Sequence, residues 1–133
     1  MDKKPLILLV DDEKDFLEIF SLKLQSAGFE VKTAQSAEEA LRQLKEIKPD
    51  LILMDFMMPE MDGLLAIGRI RSEFPGMNFK IVFLTNYGEP IKEGTEVDKK
   101  FAAELGAADY IRKSEDLDEV VSRIKQILAA SAS

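Results

Sequence analysis

The sequence predicts an α/β protein, one doubly wound sheet of five parallel strands with helices on both faces. Three observations predict it. Short apolar runs such as L-I-L-L-V at 6–10, L-I-L-M at 51–54 and K-I-V-F-L at 80–84 are continuous rather than alternating, as in strands covered on both sides. Between these runs lie stretches of helical spacing, so that strand and helix alternate five times. No Pro/Ser-rich linker, low-complexity block or repeat of another kind interrupts that alternation.

Pro5 leads into the first strand, which ends at Asp11 and Asp12. Asp12 with Asp15 three positions later has the pattern of a helix start. Phe16, Ile19, Phe20 and Leu24 then recur at helical spacing until Gly28 stops them. Phe29 to Thr33 forms a short second strand. Ser36 is placed to cap a helix with Ala37, Ala40, Leu41 and Leu44 on its inner face, and Pro49 closes the unit. The third strand delivers Asp55 to a turn. Asp62 and Gly63 open a helix carrying Leu64, Ile67, Ile70 and Phe74, ended by Pro75 and Gly76. After the fourth strand, Asn86 to Thr95 reads as a long loop before a helix over Glu96 to Leu105. Asp109 to Arg112 is the fifth strand. Leu117, Val120, Val121, Ile124, Ile127 and Leu128 give the clearest helical stripe, and residues 129–133, A-A-S-A-S, read as a frayed tail. One domain over residues 1–128 follows, with strand order 2-1-3-4-5 as the common solution for such a sheet.

Composition narrows the chemistry. The 133 residues are 46% hydrophobic and 32% charged, enough to bury one core. A net charge of −7 argues against a nucleic-acid-binding surface, because phosphates would be repelled. Without cysteine or histidine the chain has no disulfide, no thiol nucleophile, no histidine-based zinc site and no histidine general base. Carboxylates, hydroxyls and lysines must do the work. The longest apolar run, Leu6 to Val10, is far too short to span a bilayer, and Asp11, Asp12 and Glu13 break the region where a signal peptide would be apolar. A cytoplasmic location without membrane contact is the expectation.

In a sheet of this order ligands bind outside the carboxyl ends of the strands, where the strand order reverses, here between strands 1 and 3. Polar residues stand at those ends: Asp11 and Asp12, Asp55, Thr85 and Lys113. Carboxylates gathered there repel by about 1 to 4 kcal/mol for each pair ~4 Å apart. A cation must offset that, and oxygen-only donors with positions left for water and phosphate suit Mg²⁺, with Mn²⁺ as a substitute. Lys113 adds a point charge, and the Thr85 hydroxyl a hydrogen bond, to an anion on Asp55. These are the parts for phosphoryl transfer to a carboxylate. Taken singly, each residue has a plainer reading. Asp11 and Asp12 could cap a helix, Asp55 could serve a turn, and Thr85 or Lys113 could be solvated strand ends. Met57, Met58 and Met61 could be core filling. The four segments ending together favour the site.

The motifs V-D-D-E at 10–13, D-F-M-M-P-E-M-D-G at 55–63, L-T at 84–85 and G-A-A-D-Y-I-R-K at 106–113 resemble, in order, the receiver domain of two-component response regulators, a flavodoxin-like fold. The resemblance covers nearly the whole chain. It implies that Asp55 is the phosphoacceptor, taking its phosphoryl group from a histidine kinase, a histidine phosphotransfer protein or a small donor such as acetyl phosphate. It also implies that Asp12, Asp55 and the backbone carbonyl of Met57 bind Mg²⁺, with Asp11 acting largely through water. Thr85 and Lys113 would hold the phosphoryl oxygens, and Tyr110 would be the switch aromatic. The surface of the predicted helix over Glu96 to Leu105, the fifth strand and the last helix would then control a downstream protein partner. On this reading the chain is not an enzyme acting on other molecules; it assists only its own phosphorylation and dephosphorylation.

Three departures from the family pattern stand out. Ser114 follows Lys113 where most members have proline, so the cis peptide expected there carries the cost of a non-proline bond, about 2.5 to 4 kcal/mol. The interval from Thr85 to Lys113 is longer than usual, most simply by an insertion within Asn86 to Glu96. Met57 and Tyr87, two residues beyond Asp55 and Thr85, carry no carboxylate or amide to orient water, so slow loss of the phosphoryl group is expected. Competing readings are a Mg²⁺-dependent phosphatase of the haloacid dehalogenase type, a flavin-binding domain and a receiver that works unphosphorylated. The phosphatase would want a second acid where Met57 stands, and the flavin domain a Ser/Thr/Gly loop that the first turn lacks.

Overall fold

The computed structural model describes residues 4–56, 58, 61–85, 107–113 and 116–132, with 107–110, 131 and 132 described by backbone alone. Five strands, β1 (Leu6–Val10), β2 (Glu30–Ala34), β3 (Leu51–Asp55), β4 (Ile81–Thr85) and β5 (Ala107–Arg112), form a parallel sheet in the order β2-β1-β3-β4-β5. The helices are α1 (Lys14–Ser26), α2 (Ala37–Leu44), α3 (Gly63–Glu73) and α4 (Leu117–Ala132). The predicted helix over Glu96 to Leu105 and the loop from Asn86 lie outside the described residues.

Alternation along the strands divides the core in two. Leu8, Val10, Ile52, Met54, Ile81 and Phe83 point to one face, where Ala40, Leu41 and Leu44 of α2 and Ala66, Ile67 and Ile70 of α3 cover them. Ile7, Leu9, Leu51, Leu53, Val82, Leu84 and Ile111 point to the other, against Leu17, Phe20 and Leu24 of α1 and Val120, Val121 and Ile124 of α4. With both faces covered, a continuous apolar run is what a central strand requires.

Local signals set most boundaries. The Ser36 hydroxyl accepts the Glu39 amide at 3.1 Å, and Asp62 Oδ1 accepts the Leu65 amide at 2.9 Å, each satisfying an otherwise unpaired donor of a first helical turn. At the end of α1, Gly28 takes φ +101°; its amide reaches the Gln25 carbonyl and that of Phe29 the Leu24 carbonyl, both at 3.1 Å. This pairing closes the helix and needs a residue free to enter the left-handed region.

Strand bounds shift from the sequence reading by one residue in β2 and β4, and β5 begins at Ala107 rather than Asp109; three further details differ. Helix α1 begins one residue later than Asp12 suggests. Glu13 occupies the N-cap position without a side-chain cap bond, because Asp11 Oδ1 takes the Glu13 amide at 2.8 Å and bends the chain before the helix. Ile19 faces outward at 60% exposure while Leu17 is buried, since the true inner stripe is Leu17, Phe20, Leu24 at i, i+3, i+7. Helix α4 continues through Ala132 instead of fraying after Leu128, as alanine's helix propensity favours continuation. No helix among the described residues is long and apolar enough to cross a membrane.

Candidate functional site

The sheet register brings the strand ends together. Val10 pairs with Met54, Asp55 with Leu84, and Thr85 with Arg112, so Asp11, Asp55, Thr85 and Lys113 emerge at neighbouring points on one edge. Main-chain bonds continue the ladder past the side chains. The Asp11 amide donates to the Ala34 carbonyl at 3.0 Å, that of Phe56 to Leu84 at 2.8 Å, and that of Lys113 to Thr85 at 2.8 Å. The predicted positions are therefore braced by backbone on each side, as a precise site requires.

Carboxylate oxygens of Asp11, Asp12 and Asp55 all lie within 4.8 Å of one another. Asp11 is 0% and Asp55 1% exposed, Asp12 faces solvent, and Thr85 is buried at 5%. Lys113, with a side chain only 8% exposed, places Nζ 2.5 Å from Asp11 Oδ2, 2.9 Å from Glu13 Oε1 and 3.4 Å from Asp55 Oδ2. Its ammonium also sits 4.7 Å from the centroid of the Phe16 ring, within cation–π range. Sequence reasoning missed both Glu13 and Phe16. The first stands 100 positions from Lys113 and the second read as core stripe; no spacing signal links either to a lysine so distant.

The electrostatics are unbalanced. Four carboxylates gather at this edge, and the one ammonium among the described residues there pairs with three of them, Asp11, Glu13 and Asp55. Burial pushes the Asp11 carboxyl above its ordinary value, against the opposing hydrogen bonds from Lys113 and from the Glu13 amide. Burial alone would lower Lys113; its bonds to Asp11 and Glu13 and the charge of Asp55 outweigh it and hold the ammonium above its ordinary value. Asp11 Oδ2 pairs with the Lys113 ammonium at 2.5 Å while its Oδ1 accepts the Glu13 amide. A surplus of negative oxygen donors over positive charge at this edge fits a hard divalent cation.

The turn after Asp55 is closed by packing. The Phe56 ring meets Phe83 edge-on with centroids 5.3 Å apart, and the Gly63 amide donates to the Phe56 carbonyl at 2.6 Å. A Cβ on Gly63 would stand 2.5 Å from Phe56 Cδ1 and 2.7 Å from Phe83 Cε1, so the glycine lets α3 approach the aromatic pair. Beside the acids, a small concavity is lined by Asp12, Ser36, Ala37, Met58 and Met61. Met57, Tyr87 and Ser114 lie outside the described residues; Tyr110 pairs with Phe83 in β5 through its backbone, and its side chain lies outside them.

A five-stranded parallel sheet with acids converging at its switch point defines a class, and comparison with known proteins names it. The chain belongs to the response regulator receiver domain family, whose model matches residues 7–125. It is 39% identical over 131 residues to the alkaline phosphatase synthesis transcriptional regulatory protein PhoP of Bacillus subtilis strain 168, covering 98% of this chain and 50% of that protein. The chain spans about half the length of the relatives it matches. Among solved structures, a CheY-like receiver domain protein from Methanospirillum hungatei JF-1 superposes with TM-score 0.82 at 26% identity, covering 96% of each chain. A response regulator from Thermotoga maritima gives TM-score 0.78 at 30% identity, covering 96% of this chain and 99% of that one.

Proposed function

We propose that Asp55 is a phosphoacceptor, and that its modification is the signal this receiver domain carries. The observation that supports the reading best is an acid 1% exposed at a strand end, with Lys113 Nζ 3.4 Å away and two further carboxylates within 4.8 Å. A carboxylate oxygen of Asp55 attacks the donor phosphorus, the donor bond to phosphorus breaks, and the leaving group departs with the electron pair and takes up a proton. Little of that chemistry requires an acid or base from the protein. Positioning and charge neutralisation supply most of it.

Lys113 neutralises part of the charge on the transferred group, and Thr85 contributes a hydroxyl donor on the adjoining strand. Asp12, Asp55 and the backbone carbonyl of Met57 would hold Mg²⁺, or Mn²⁺ in its place, with Asp11 acting largely through water. When bound, the metal neutralises the phosphoryl oxygens. Tyr110 would follow Thr85 as the switch aromatic, changing the surface of β5, α4 and the segment before β5 that a downstream protein reads. Phosphate adds up to about two charges and three acceptor oxygens, and moving such an equilibrium from 1:99 to 99:1 takes about 5.5 kcal/mol of differential stabilisation. A partial shift completed by the partner is the expected behaviour.

With no histidine of its own the chain needs an outside donor, a histidine kinase, a histidine phosphotransfer protein or a small donor such as acetyl phosphate, and the proposed setting is the cytoplasm. Incubation with acetyl phosphate and Mg²⁺ followed by intact mass measurement tests the reading. One added phosphoryl group, absent from Asp55→Asn, is the expected result. Multiple turnover of a phosphate ester without a stable adduct would overturn it in favour of a phosphatase.

A further inference from the structure

Glu13 stands next to the acidic cluster, yet neither the phosphoacceptor chemistry nor the metal uses it. It occupies the N-cap position of α1, where the short side chains of Asp, Asn, Ser or Thr ordinarily bond an amide of the first turn. Here it makes no such bond. Its carboxylate instead reaches Lys113 Nζ at 2.9 Å. The two ends of this pair are unequal: the Lys113 side chain is 8% exposed, while that of Glu13 is 58% exposed. The Glu13 end can therefore open into water at small cost, whereas Asp11, the ammonium's other near partner, is fully buried.

An ammonium has three N–H donors and no more. In the unmodified protein they are directed among Asp11 at 2.5 Å, Glu13 at 2.9 Å and Asp55 at 3.4 Å, so the acceptor is the farthest of the three. A phosphoryl group on Asp55 needs that ammonium closer. We propose that Glu13 is a positioning residue: it holds Lys113 in a resting place and competes with the phosphoryl group for it, so that this exposed carboxylate sets how readily the lysine engages the modified acceptor. The inference rests on the phosphoacceptor reading above. It is a property of this side chain and its partner, separate from the metal ligands.

Beryllofluoride, a phosphoryl mimic that attaches to a carboxylate, reads the competition without turnover. With Mg²⁺ present, titration followed by fluorine NMR should give Glu13→Gln an affinity tighter than that of the unaltered protein by about two- to fivefold, the range of one half-exposed ion pair. In a Lys113→Gln background the same change should make no difference. An unchanged or weaker affinity in Glu13→Gln, or a gain that persists without Lys113, overturns the proposal; the latter result would mean simple charge reduction. Should Lys113→Gln bind too weakly to titrate, nitrogen relaxation of the Lys113 ammonium in metal-free protein decides: greater mobility in Glu13→Gln supports the holding role, and identical mobility overturns it. Failure of the unaltered protein to bind, or equal binding by Asp55→Asn, removes the phosphoacceptor reading itself. Normal binding with an indifferent Glu13→Gln removes the competition alone.

Discussion

Arg69 and Lys113 each gather carboxylates around them, and they do so for different reasons. Arg69 on α3 pairs with Glu38 of α2 and, at 2.7 Å, with Glu73 of its own helix. The guanidinium side chain is 36% exposed, and the cluster ties two neighbouring helices on the outside of the sheet. Lys113 pairs with Asp11, Glu13 and Asp55 with a side chain 8% exposed, at the end of the strands. Surface pairs of the first kind contribute little to stability and fade with salt. Burying ions as in the second case costs several kcal/mol each, and a hydrophobic replacement of the whole group is often no less stable. On the phosphoacceptor reading, charge of the second kind serves the site more than the fold.

The contrast is sharpest if the lysine is removed. Lys113→Met should destabilise the metal-free protein by about 3 kcal/mol in urea unfolding at neutral pH, because buried carboxylates lose their partner. That loss should shrink on acidification as the orphaned acids take up protons. A loss independent of pH would mean that packing, not charge, holds the lysine in place.

Next in size is the effect of losing an acid at the same edge. Asp12→Asn, at the solvent side of the cluster, should weaken Mg²⁺ binding by at least about tenfold, the scale on which even outer-shell partners matter, while leaving the melting temperature of the metal-free protein near that of the parent. Isothermal titration calorimetry and thermal unfolding report the two separately.

The pH response of the buried cluster is smaller but has a definite sign. Burial raises Asp11, so protons compete with a metal there at a pH higher than the ordinary carboxylate value of 3.8. Mg²⁺ affinity should begin to fall on acidification before that value is reached, and in Asp11→Asn the fall should begin lower. Lys113 is raised above its ordinary 10.5, so its contribution to stability is fully present below that value and lost only as pH climbs through the raised one. The stability difference between the parent and Lys113→Met should accordingly be flat from about pH 7 to 9. The smallest effect belongs to the surface cluster. Arg69→Ala should shift the urea midpoint least of these variants, and the shift should vanish at about 1 M salt, where the screening length is about 3 Å.

Much of the fold was legible because β1, β3 and β4 are continuous apolar runs and the capping residues Ser36, Asp62 and Gly28 sit where helices begin and end. Asp11, Asp55, Thr85 and Lys113 were legible for the same reason, since a polar residue ending a buried strand must face the sheet edge. What the sequence hid was long-range or ambiguous in period. Nothing near Glu13 or Phe16 announces a lysine 100 positions away, and the run Phe16-Leu17-Glu18-Ile19-Phe20 offers two apolar stripes, of which the sheet selects Leu17 and Phe20. The start of α1 slipped because Asp11 spends a carboxylate oxygen on the Glu13 amide, a choice only the folded geometry dictates.

The central claim is that acids from two strands share one divalent ion beside the acceptor. Anomalous diffraction from crystals soaked in Mn²⁺ tests it most directly. The account predicts one strong peak bounded by Asp12 and Asp55, with Asp11 behind it and Lys113 retained nearby. No peak at that edge with Mn²⁺ in excess, or a peak on Asp12 alone with Asp55 turned away, would contradict it.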